Sequence, residues 1–162
     1  MKKFLLIGVV VLLAVTLSGC KNAAEKTVET AIESTTGIEA DVDNDSITLN
    51  TNEGSLTVGD AATIPSGFPS DVYIIDGDVM SAMTIDTDST FQVQIDTPKS
   101  LSEAGDIYNE ELLAAGWTIT STLNMTDAIS IMAEKDDRLT TVSVGTSDGV
   151  TVVIINTSII SE

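Results

Sequence analysis

Apolar and polar residues alternate over most of the second half of the chain, in short runs separated by turn residues. A period of two residues is typical of strands that bury one face. The alternation predicts strands over residues 79–85, 91–95, 117–123, 129–133, 142–144 and 150–156. The last run is almost wholly apolar and β-branched, which is typical of a central strand covered on both faces.

A helical pattern interrupts these strands after Pro98. Ser100 and Glu103 have the spacing of a capping box, which satisfies two free amides of a first helical turn. Spacings of three and four residues then define one apolar helix face, formed by Leu101, Ala104, Tyr108, Leu112 and Ala115. Gly116 is suited to end the helix. Trp117 follows directly, and we expect it to pack between helix and sheet.

Tight turns join the predicted strands, at residues 86–89, 135–138 and 147–149. Such turns imply antiparallel pairing. We therefore predict an α+β domain in the order strand, strand, helix and four strands, with a twisted antiparallel sheet of about six strands covered by one amphipathic helix.

A smaller unit precedes this domain. Helical spacing predicts a helix over residues 22–36. Two short alternating runs follow, residues 47–49 and 56–58, around a turn at residues 52–54, and they predict a β-hairpin. Because two strands are not stable unaided, we expect the helix to cover the hairpin. This unit would form a separate module ahead of the main domain.

The N-terminus has the pattern of an export signal. Lys2 and Lys3 precede an uncharged apolar run over residues 4–17. The run is shorter than the roughly 20 residues that a spanning helix needs, and it has the length of a signal-peptide core. It ends in Leu17, Ser18, Gly19 and Cys20.

These four residues resemble the lipobox of bacterial lipoproteins. The resemblance implies that a signal peptidase recognises Leu17, Ser18 and Gly19, and that Cys20 becomes the lipid-modified N-terminus. Two acyl chains suffice for stable anchoring. The protein would then lie on the cell membrane or outer membrane and face the periplasm or the exterior. The alternative is an ordinary secreted protein with a chance cysteine.

The resulting division of the chain has five parts. They are a cleaved signal peptide at 1–19, the lipid anchor and helix at 20–36, the hairpin at 37–59, a Pro/Gly linker at 60–77 and the α+β domain at 78–158.

Residues 64–157 carry a second set of motifs. They are a Pro-x-x-Phe-Pro-x-Asp-Val segment (Pro65, Phe68, Pro69, Asp71, Val72), a Thr-x-x-Ser helix start (Thr97, Ser100), a mid-helix Tyr108 and Gly116-Trp117. In these features the chain resembles uncharacterised secreted or lipid-anchored bacterial proteins of unknown function. The resemblance implies that the fold is shared, and it gives no information about activity. Ile75-Asp76-Gly77 stands where these proteins usually have Tyr-Pro-Gly.

Charge narrows the range of partners. Removal of residues 1–19 leaves 5 basic and 25 acidic residues, a formal net charge of −20. Nucleic acid and anionic headgroups both need basic contacts. We therefore expect no nucleic-acid partner, and contact with the membrane through the lipid alone. The sequence does not specify a protein or other envelope partner.

The acidic residues offer one candidate metal site. Asp41, Asp43 and Asp45 have the spacing that opens an EF-hand loop. The rest of that loop is missing, because Ser46 and Asn52 occupy the positions of its glycine and its glutamate. These residues are either a weak calcium site or a solvated acidic turn. Apart from the covalent lipid and this calcium, we expect no cofactor.

Catalytic chemistry has few candidates. The chain has no histidine, and its single cysteine would carry the lipid. Ser-His and Cys-His nucleophiles and the usual zinc ligand sets are thereby excluded. A hydrolase would depend on carboxylates alone, such as Asp71, Asp76 and Asp78 in one loop or residues 110–111 on the helix. No pattern pairs them across a cleft.

We therefore predict a non-enzymatic binding or structural module, displayed in the cell envelope by its lipid. A calcium-binding surface module and a carboxylate-dependent hydrolase are the alternatives.

Overall fold

A computed structural model describes residues 21–43, 45–85 and 90–159, with side chains from residue 25 onward. Its two helices are α1 (Lys21–Thr36) and α2 (Leu101–Ala114). Its strands are β1 (Glu39–Asp43), β2 (Ser46–Thr51), β3 (Gly54–Gly59), β4 (Asp78–Ile85), β5 (Thr90–Thr97), β6 (Thr118–Asn124), β7 (Ala128–Lys135), β8 (Arg138–Ser147) and β9 (Val150–Ile159). The predicted turn at residues 86–89 lies outside the described residues.

All nine strands form one antiparallel sheet in the order β1-β2-β3-β4-β5-β9-β8-β7-β6. The chain adds strands one by one from β1 to β5. Helix α2 then carries it across the sheet to the far edge at β6, and three hairpin steps bring it back to β9 beside β5. Its two parts therefore meet at the β5–β9 pair, in the interior of the sheet.

The α+β character is confirmed, but the six-stranded sheet with a separate hairpin module is wrong. Strand β3 pairs with β4, with Leu56 opposite Met83, so that the hairpin extends the main sheet. Strand β1 adds a further member that the sequence analysis missed. Only Ala40 and Val42 alternate with its acidic residues, and this spacing predicts a weak calcium site or a solvated acidic turn instead of a strand.

Helix α2 covers one face of the sheet. Its Ser100–Glu103 capping box is present, and the Ser100 hydrogen bonds lower the pKa of Glu103. Helix α2 lies against β6, β7 and β8, and its Tyr108 and Leu112 are fully buried in a core that also contains Val93 and Ile155 of the β5–β9 pair. Trp117 belongs to the same core, as predicted.

The apolar side of the sheet changes from one face to the other along its width. Cross-strand partners share a face, and the register traces a row through Ala40, Leu49, Leu56 and Met83 to Gln92 on β5. Gln92 alternates with the buried residues of β5, so this row lies on the face away from α2. Strands β1 to β3 thus turn their apolar residues to the face opposite the main core.

The two edge strands of the sheet differ in how far other parts of the chain cover them. Helix α1 packs against β1, and a Glu29 carboxylate oxygen accepts a hydrogen bond of 3.1 Å from the Val42 backbone N–H. That amide would otherwise be an unpaired donor on an edge strand. At the other edge most residues of β6 are exposed, including Leu123 at 55%.

Neighbouring leucines on α2 test how much the buried helix face contributes. Leu112 is fully buried and Leu113 is 59% exposed. We expect Leu112→Ala to lower the free energy of unfolding by about 3 kcal/mol, because it leaves a cavity in the core. Leu113→Ala should change it by less than about 0.5 kcal/mol. Chemical denaturation would measure both, and equal losses would contradict the described orientation of α2.

Candidate binding site

A trough of about 540 Å³ lies in the sheet face that α2 does not cover. Strands β5, β9 and β8 supply its floor, and the β8–β9 turn forms one end. The lining residues are Gln94, Asp96, Ala128, Ser143, Val144, Gly145, Thr146, Ser147, Asp148, Val150, Val152 and Ile154. This volume is within the range of about 300–1,000 Å³ that is usual for small-molecule sites.

Small residues account for the hollow. One row of cross-strand partners runs from Asp96 through Val152 and Gly145 to Ala128. Gly145 has no side chain and Ala128 has only a methyl group, so the surface of the sheet is recessed along this row beyond Val152. Ser143 continues the low floor in the next row.

The floor combines apolar and polar groups. Val152 and Ile154 offer hydrocarbon surface, while Gln94, Ser143 and Asp96 offer polar atoms. One carboxylate oxygen of Asp96, Oδ1, is shielded from solvent and has no hydrogen-bond partner within the described residues. An unpaired buried acceptor typically costs about 1–3 kcal/mol. The trough thus contains a carboxylate with one oxygen to which no described residue donates a hydrogen bond.

The sequence held a signal for this trough in β9. Its apolar run predicted a strand covered on both faces, but burial alternates strictly along β9 and only one face is covered. Val153 and Ile155 lie in the core, whereas Val152 and Ile154 line the trough. The surplus of apolar residues therefore lines the trough and does not form a second buried face.

A second, smaller depression of about 240 Å³ lies near the other end of the sheet. Leu49, Leu56, Met83 and Ile85 are among its lining residues, and Ile38 lies beside them. Its surface is more apolar than that of the trough. None of its described residues has a buried polar side-chain atom without a hydrogen-bond partner.

The loop ahead of β4 is fixed to the sheet by a charged cluster. Both carboxylate oxygens of Asp71 accept hydrogen bonds of 2.7 Å from the Arg138 guanidinium, and Oδ2 accepts one of 2.6 Å from Lys135 Nζ. The Arg138 hydrogen bonds, aided by Lys135 and opposed by partial burial, hold the pKa of Asp71 well below its ordinary value. Asp71 in turn raises the pKa of Arg138.

The motifs shared with uncharacterised bacterial proteins meet at this cluster. The Trp117 indole N–H donates to the Asp71 carbonyl over 3.0 Å, and the Arg138 guanidinium lies 4.9 Å from the centre of the Trp117 ring. Tyr108 Oη accepts a 3.4 Å hydrogen bond from the Ile75 amide, and burial raises the pKa of Tyr108. These residues hold the loop in place, and they lie outside the trough.

The other predicted site residues stand apart from the trough. Leu17, Ser18, Gly19 and Cys20 lie outside the described residues. Asp41 and Asp43 lie on β1 and Asp45 lies in the following turn, and residues 21–43, 45–85 and 90–159 contain no group of three or more acidic, histidine or cysteine side chains placed to hold a metal ion.

None of the carboxylates of the hydrolase alternative lines the trough, although Asp78 is the cross-strand partner of Asp96. Asp71 is paired with two cations. Asp76 and Asp78 are exposed, as are residues 110–111 on α2. None of the residues that line the trough is among the predicted site residues. They lie on one surface only because of the strand register, which the sequence does not specify.

Comparison with known proteins gives one partial match. The model of a START domain-like family matches residues 79–149, which is less than half of the chain. The matched segment contains Gln94, Asp96, Ser143 and Gly145 of the trough. No curated protein and no solved structure matches the chain. The similarity supports a ligand-binding module as the class of protein.

Within the described residues, neither helix has the length and hydropathy that crossing a membrane would require.

The Asp71 cluster predicts a pH-dependent contribution to stability. Asp71→Asn should lower the free energy of unfolding by about 2 kcal/mol at neutral pH, because the two cations lose their counter-charge. The folded-state pKa of Asp71 is depressed, so its contribution is complete above the ordinary value of 3.8 and is lost as pH falls through the folded value. Denaturation of both proteins should show their difference shrinking below about pH 4. A difference that is independent of pH would contradict this role.

Proposed function

We propose that this protein is a lipid-anchored, non-catalytic ligand-binding module of the bacterial cell envelope. The trough on the uncovered face of β5, β9 and β8 is its binding site. The single observation that carries this proposal is the trough itself, a hollow of about 540 Å³ with a mixed floor and a shielded, unpaired carboxylate oxygen.

The packing of α2 supports this location. The space between α2 and the sheet is filled by side chains, because Tyr108 and Leu112 on α2 and Ile131 and Val142 on β7 and β8 are all 0% exposed. A ligand would have to unfold that interface in order to enter it. The trough needs no such rearrangement, since it is open to solvent on the opposite face.

The N-terminal sequence supports the anchor. Cys20, preceded by Leu17, Ser18 and Gly19, would carry the lipid, and α1 begins at the next residue, Lys21. The lipid would hold the protein on the cell membrane or outer membrane, with its sheet in the periplasm or at the exterior. A net charge of −20 disfavours adsorption to anionic headgroups, which leaves the lipid as the means of attachment.

The binding site can be tested by filling the trough. A Cβ built at Gly145 makes only an ordinary contact, 3.8 Å from the Asp127 carbonyl, so Gly145→Leu should fold and project its side chain into the hollow. Thr141→Leu is the matched control, since Thr141 lies on the same strand and the same sheet face but does not line the trough.

The readout is NMR of the protein with a library of small metabolites. We expect at least one compound to shift the amide signals of residues 94–96, 143–145 and 152–154. The shifts should disappear in Gly145→Leu and persist in Thr141→Leu. Binding that survives in Gly145→Leu would place the site elsewhere, and a library without any binder to the wild type would count against a ligand-binding function.

The anchor can be tested independently of the ligand. Intact-mass analysis of the full chain, expressed in a bacterial host, should give residues 20–162 plus acyl chains in the membrane fraction. Cys20→Ser should leave that fraction and carry no lipid. A wild-type protein of unmodified mass in the medium would refute the lipid anchor, and the assignment of the trough would be unaffected.

A further inference from the structure

We propose that the trough binds a small organic ammonium ion, with Asp96 as its counter-charge and hydrogen-bond acceptor. This inference rests on the proposed binding function and adds the chemical class of the ligand. It follows from three features of the trough: the unpaired oxygen of Asp96, the absence of basic residues from the lining, and the hydrocarbon surface beside the carboxylate.

The first feature is an acceptor without a donor. Asp96 lines the trough, and its Oδ1 is shielded from solvent without a hydrogen bond from any described residue. The other carboxylate oxygen, Oδ2, is not shielded in this way, and no described residue donates a hydrogen bond to it, so it can accept one from a ligand in the trough. A ligand that brings an N–H donor would supply the missing hydrogen bond.

The second feature is the sign of the charge. Among the twelve described residues that line the trough, Asp96 and Asp148 are acidic and none is basic. The whole protein is also strongly acidic, with a formal net charge of −18 before any processing. An anionic ligand would meet repulsion without compensation, whereas a cation is attracted to the trough and then pairs with Asp96.

The third feature distinguishes an organic cation from a metal ion. Calcium takes six to eight oxygen ligands, and the floor offers a single carboxylate among Gln94, Ser143 and apolar groups. Val152 is the cross-strand partner of Asp96, and Ile154 lies on the same face in the next row. An ammonium group at Asp96 would therefore extend its carbon chain over Val152 and Ile154 towards the hollow at Gly145.

The test uses NMR titration of the full chain with three probes that share a butyl chain. The probes are n-butylammonium, butyltrimethylammonium and 1-butanol. Only the first has both a positive charge and N–H donors. We expect n-butylammonium to shift the signals of the trough and to bind at least tenfold more tightly than butyltrimethylammonium or 1-butanol, because charge-assisted hydrogen bonds are the stronger ones.

Two variants assign the interaction to Asp96. Asp96→Asn keeps the shape of the side chain and removes its charge, and it should weaken n-butylammonium binding at least tenfold. Glu110→Gln removes one exposed negative charge from α2, on the other side of the sheet, and should leave the affinity within about twofold. Without any ligand, Asp96→Asn should melt at the same temperature as the wild type or higher, since it removes an unsatisfied carboxylate.

The outcomes separate this inference from the proposed function. Equal binding of n-butylammonium and butyltrimethylammonium, or unchanged binding by Asp96→Asn, would overturn the role of Asp96. Failure of n-butylammonium, while a neutral or anionic library compound binds and is blocked by Gly145→Leu, would overturn the ammonium class and leave the trough as a binding site. Absence of any binding at the trough would overturn both proposals.

Discussion

The pairing of β5 with β9 is the constraint on which the rest of the structure depends. It joins two parts of the chain that are distant in sequence, and its register sets Val93 opposite Ile155 and Asp96 opposite Val152. A slip by one residue would exchange the two faces of a strand. The core beneath α2 and the trough on the other face are therefore fixed together, by the same set of backbone hydrogen bonds.

The sheet divides its apolar surface between two faces. Strands β5 and β7 to β9 bury theirs in the main core, on the side of the sheet that carries α2, while β1 to β3 turn theirs to the other side. Ile47 and Val58, which are cross-strand partners, remain 42% and 46% exposed there. The two parts of the sheet are joined by the β3–β4 pairing, which sets residues 54–58 opposite residues 81–85.

Local patterns predicted the elements better than their assembly. The capping box at Ser100, the burial of Trp117 and the turn at Asp148, where the backbone is left-handed, all depend on adjacent residues. The pairing of β3 with β4 could not be predicted, since it joins strands across the loop that Asp71 holds in place. The trough was missed for the same reason, because Asp96 and Gly145 share a row only once β9 lies between their strands.

The hydrogen bond from Val42 to Glu29 has a consequence for self-association. Sheets polymerise when each molecule offers two free edges, so that every added copy presents a new one. Here helix α1 and Glu29 occupy the β1 side, and β6 is the remaining edge among the described strands. If β6 of one copy paired with β6 of a second copy, the free edge of each sheet would be covered by the other. Growth would then stop at a pair, and the sheet could not propagate into a fibre.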